Sequence, residues 1–185
     1  MNNPLTISPR EGDTASTVAQ YHRYIDELLC LAQQALVEKD RDLALQFWQL
    51  HIAMLSIHVA IEDDCLAQVS GEEQKQWRWP ASLYVAEHAK IIQFGSKVEA
   101  RLKALPEVLT APQIIAEIDF QRSYKNLLQH HEEREEIALL QEMASTSPAV
   151  MALFDRRISQ QWQDCYHRQK HSLTLLQQHL VRLKG

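Results

Sequence analysis

Residues 43–69 read LALQFWQLHIAMLSIHVAIEDDCLAQV, and this stretch decides the fold. It holds no glycine or proline. Its inward positions Phe47, His51, Met54, His58, Ile61 with Glu62, and Cys65 recur at alternating three- and four-residue steps. That is the period of one buried face of an α-helix. The content of the face is unusual, because imidazoles and a carboxylate stand in a row of apolar residues. A buried carboxylate costs on the order of several kcal/mol unless a partner or a metal satisfies it.

Working outward, the same period predicts four more helices. The first runs over about 16–37 on Ile25, Leu28, Leu29, Ala32 and Leu36, and the charged EKDRD run at 38–42 turns the corner. Ser70-Gly71 stops the second helix, and Trp77, Trp79 and Pro80 follow in a loop expected to cap one end of the core. A third helix spans about 82–105, halted before Pro106. Thr110 with Pro112 opens a fourth that continues to about 143, and Ser147-Pro148 opens a fifth over about 149–183. The fifth carries a stripe of Met151, Phe154, Ile158, Trp162, Leu173, Leu176 and Leu180. The expected architecture is all-α. A polar, loosely docked leader (1–14) precedes an up-down-up-down four-helix bundle (15–145). A long C-terminal helix (146–185) then packs across the bundle, in preference to forming a dimer interface.

Composition agrees with that class. Of 185 residues, 45% are apolar and 23% charged, while only four glycines and six prolines occur, which suits long helices better than strands and turns. Net charge is −5 without a basic patch, which argues against nucleic acid as a partner. No apolar run of membrane-span length and no apolar signal core stand out, so no membrane is expected. Cys30, Cys65 and Cys165 are odd in number and far apart, as reduced thiols in a cytoplasmic protein would be.

The chemistry lies in an alternation. A lone inward histidine, His22, is followed by His58/Glu62, then by a lone His88, then by His131/Glu135. Residues four apart share a helix face, about 6 Å apart in rise, so each pair can address one metal or one metal and a bridge. Neutral imidazole with carboxylate suits iron, and zinc or manganese would also fit. Two-oxygen side chains at Glu62 and Glu135 are the candidate bridges of a dinuclear centre. A single pair is weak, since nine histidines and 24 acids produce such spacings by chance, and His22/Asp26 is one more. The duller alternative is a set of core histidines ion-paired with glutamates. The strength lies in four helices offering donors on their inward faces. His131 is preferred over His130, which falls on the neighbouring face with Leu127, Arg134 and Ile137. His51 is read as a satisfied core histidine or a support to a ligand, Tyr124 and Cys65 as packing, and His167/His171 as a solvated face.

The stretches YHRYIDELL (21–29), HVAIEDDCL (58–66), AEHAKII (86–92) and LLQHHEEREEIALLQEM (127–143) resemble the hemerythrin-like, or HHE cation-binding, family over about residues 15–145. The resemblance implies a non-haem di-iron centre held by His22, His58, Glu62, His88, His131 and Glu135. It also implies a small diatomic ligand, O2 or NO, in a protein that is a monomer or homodimer. Oxygen-carrying members have His-x-x-x-His on the third helix, where this chain has His88 but Ile92, so the place of that imidazole is left to a nitrogen from elsewhere, to Glu87 or to water. That departure leaves sensing of iron, O2 or NO open beside oxygen carriage, with a di-iron oxidase, peroxidase or repair-type iron donor as the enzymatic alternative. A metal-free interaction protein is the third.

Overall fold

Local chemistry sets where each helix begins and ends. In the computed structural model, which describes residues 14–183, α1 (Thr14–Val37) closes with Lys39 in the left-handed region at φ 64°. The Lys39 N–H then bonds Leu36 O and the Asp40 N–H bonds Ala35 O, the pattern of a Schellman stop. The Asp40 side chain accepts from the Leu43 N–H at 2.8 Å and so starts α2 (Arg41–Leu66). One acidic residue thus finishes one helix and begins the next. The expected leader falls outside the described residues except at Thr14, which already opens α1.

Ser70 and Glu73 cap the short α3 (Gly71–Gln74) reciprocally, and α4 (Ala81–Ala104) follows Pro80. The α5 helix (Ala111–Arg134) begins at Thr110, whose N–H bonds Gln113 Oε1 at 3.0 Å. The expected single fourth helix is not uniform. A π segment (Glu135–Leu139) widens it for a single turn before α6 (Leu140–Thr146) resumes the regular pitch. Pro148 opens α7 (Pro148–Leu183).

The packing order places the site. α1 lies on α2, α2 on α4, α4 on α5, and α5 closes back on α1, an up-down-up-down bundle. α2 and α5 therefore face each other diagonally. α7 packs on α2, α1 and α6 and covers one side as a fifth helix, with Phe154, Ile158, Trp162 and Leu173 buried. Trp77 is buried and donates to Thr146 Oγ1 at 2.9 Å, and Trp79 packs half-buried beside it. The three cysteines are unbridged.

One expectation changes. α2 is long and apolar enough to cross a membrane by length and mean hydropathy (1.3), although no such run was anticipated. Half of that window is buried inside the bundle, and a core helix passes the same test.

Candidate metal centre

Four helices bring their inward polar residues to one layer. His22 comes from α1, His58 and Glu62 from α2, His88 from α4, His131 from α5, and Glu135 from the first residue of the π segment. All six are buried, none more than 3% exposed. Every histidine turns Nε2 towards the two carboxylates.

The layer divides into two halves. In one, His22 Nε2 lies 2.9 Å and His58 Nε2 3.3 Å from Glu135 Oε2, with Glu62 Oε2 3.4 Å from His58 Nε2. In the other, His131 Nε2 lies 2.7 Å and His88 Nε2 3.8 Å from Glu135 Oε1, with Glu62 Oε1 3.7 Å from His88 Nε2. Each glutamate thus presents one oxygen to each half. The paired Nε2 atoms are 3.4 Å apart in the first half and 2.8 Å apart in the second. Two nitrogens on one ion, at bonds of about 2.1 Å, stand about 3 Å apart at an octahedral angle and about 3.4 Å apart at the tetrahedral angle of zinc.

The outer nitrogens explain why the inner ones face inward. His22 Nδ1 meets Glu136 Oε1 at 2.9 Å, His88 Nδ1 meets Asp63 Oδ1 at 2.7 Å, and His131 Nδ1 meets Glu87 Oε2 at 3.2 Å. An Nδ1–H donated to a carboxylate leaves the Nε2 lone pair free for a metal, the usual carboxylate–histidine–metal arrangement. Arg134 in turn donates to Glu87.

The carboxylates supply the decisive observation. Both oxygens of Glu62 and both of Glu135 are buried and take no well-directed hydrogen bond; what they face is the ring of inward Nε2 atoms. Native interiors seldom leave such groups unsatisfied, and here four stand in one layer. Two buried His/Glu groups could hold metal ions: Glu62, His88, His131 and Glu135, and His22, His58 and Glu135.

The electrostatics follow from the same crowding. Burial raises Glu62 well above the usual carboxylate range, and the charge of Glu135 adds to it. Burial pushes Glu135 the same way, but His131, His58 and His22 outweigh it and hold Glu135 well below that range. Burial opposes charge on His22 and His131, yet Glu135 raises them to about 10 and about 9. Like charges so close need a shared proton or a cation between them.

The remaining candidates separate cleanly. His51 Nδ1 donates to Ile25 O at 2.9 Å and Tyr124 donates its hydroxyl to His51 Nε2 at 2.7 Å, so His51 is a satisfied neutral core histidine. His130 is exposed beside Glu133, and His167 and His171 lie on the exposed face of α7. Cys65 is buried packing. The anchors Asp63 and Glu136 were not among the expected site residues, and Glu87, weighed as a stand-in for the missing imidazole, meets His131 Nδ1. One signal pointed to Asp63 and Glu136: each glutamate of the layer is followed directly by a second acid, Glu62-Asp63 and Glu135-Glu136. Glu132 was also missed. It is buried, its Oε1 is unpartnered, and burial pushes it up to about 8.

No family model, curated protein or solved structure matches this chain.

Proposed function

We propose that this protein is a hemerythrin-like non-haem di-iron protein that binds or senses O2, NO or iron. The observation that carries this reading is the set of four buried carboxylate oxygens on Glu62 and Glu135 that take no well-directed hydrogen bond and are ringed by four Nε2 atoms. Glu62 and Glu135 would bridge the two ions, His22 and His58 would hold one, and His88 and His131 the other. Imidazole with carboxylate is the mixed nitrogen–oxygen shell that suits iron, with zinc or manganese as alternatives. Two iron ions would supply reversible binding of a small molecule and one-electron exchange.

The protein's own contribution is preorganisation. Asp63, Glu136 and Glu87 fix three imidazole orientations through Nδ1. Tyr21 stacks on the His58 ring at 5.4 Å, and Phe154 from α7 meets its edge at 6.5 Å, so water is excluded from that side. Exclusion of water slows loss of the ions and favours binding of apolar diatomic molecules.

Iron loading under anaerobic conditions, followed by a metal count and an absorption spectrum, tests the reading. Two irons per chain are expected; absence of both iron and zinc would return the layer to a metal-free interaction bundle. A di-iron enzyme is the second reading, favoured by Glu132, a buried carboxyl one residue from His131 that could deliver a proton. Steady turnover of peroxide or NO would select the enzyme, and stoichiometric binding the sensor.

A further inference from the structure

The two halves of the layer are built on one plan, and they differ at the residue four before each lone histidine. Before His22 that residue is Val18, and before His88 it is Tyr84; both are fully buried. Residues four apart share a helix face, so Tyr84 stands one turn from His88 on the inward side of α4. Its ring meets the edge of the His131 ring at 6.2 Å. Its hydroxyl is buried and has no hydrogen-bond partner.

A buried unsatisfied phenol costs stability and calls for an acceptor. The His88/His131 half offers two nitrogens and two bridging oxygens, four donors for an ion that iron chemistry fills to six. We infer that the Tyr84 hydroxyl lines the open coordination position of the His88/His131 half and donates a hydrogen bond to the small anion or diatomic molecule taken up there. This rests on the di-iron reading. Val18 gives the other half an apolar wall at the same place, so uptake is directed to one ion of the two. The rival acceptor is Glu142, whose Oε2 is likewise buried and unpartnered while its Oε1 takes the Arg78 N–H at 2.7 Å.

Azide is the probe, titrated into the diferric protein and followed by the absorption of the ferric centre, with iron counted on every sample. Tyr84→Phe should keep two irons and weaken azide by roughly tenfold or more, the loss expected for one hydrogen bond to a charged ligand. Glu142→Gln should leave azide affinity unchanged. Equal affinity in Tyr84→Phe and wild type would overturn the inference, as would a wild-type centre that takes no azide. A phenolate-to-iron absorption band in the azide-free protein, lost in Tyr84→Phe, would also overturn it by making Tyr84 a ligand. A wild-type chain that takes up no iron would fail the di-iron reading itself, and the inference with it.

Discussion

The two halves of the buried layer are near copies that are not equally finished. In the His88/His131 half, both outer nitrogens meet carboxylates, Asp63 and Glu87, and Arg134 holds Glu87 from outside. In the His22/His58 half, Glu136 anchors His22, but His58 Nδ1 has no partner. The reason is one substitution in the plan. The residue before His88 is Glu87, and the corresponding residue before His22 is Tyr21, which stacks on His58 and donates its hydroxyl to Met54 O at 2.9 Å. One half is held by charge and the other by aromatic packing. The Nε2 separations, 2.8 against 3.4 Å, follow the same division. The charge-held half should bind its ion more tightly.

The severest way to break this comparison is Glu135→Ala. Glu135 is the residue whose oxygens approach all four histidines, so the variant should retain one ion or fewer by metal analysis. Glu62→Ala should lose the second ion as well. Retention of two ions in either variant would remove the bridging role. A milder intervention separates the halves. Glu87→Gln and Asp63→Asn should each weaken the tighter of two binding steps by about 10–100-fold in a competition titration. Weakening confined to the looser step would reverse the assignment.

His51 sharpens the comparison from outside the layer. Burial pushes it down to about 4 although its bond to Ile25 O pulls upward, against an ordinary value of 6.5. The unfolded chain therefore takes its proton first. The contribution is fully present above about pH 6.5 and is lost as pH falls towards 4, roughly 2 kcal/mol between pH 7 and pH 5. Urea unfolding of metal-free wild type and His51→Gln at those two pH values checks this; the variant should show a shallower pH dependence by about that amount. The smallest effect is expected at His171→Ala, which should leave the metal count unchanged. A loss there would mean that the exposed face of α7 takes part in the site.

The polar layer was legible in the sequence because His58, Glu62, His131 and Glu135 interrupt apolar stripes, where a buried carboxylate needs a partner. The bundle was legible because the corner at 38–42, the Ser-Gly stop and the Ser-Pro start are local signals. The anchors were harder. Asp63 and Glu136 reach histidines on a neighbouring helix, and α4 and α1 become their neighbours only through packing. The π segment was hidden for another reason: Glu135–Leu139 is ordinary helix-forming composition, and only the geometry of the following turns reveals the extra residue.

That wide turn lets one helix follow two schedules. Up to His131 the rotation of α5 is set by the buried His/Glu layer it must face; from Leu139 onward it is set by Leu140 and Met143, which must meet the oil of the core. A strictly regular spiral would tie the second demand to the first. The added residue works as a gear change, so the donors and the hydrophobic packing can each be exact without disturbing the other.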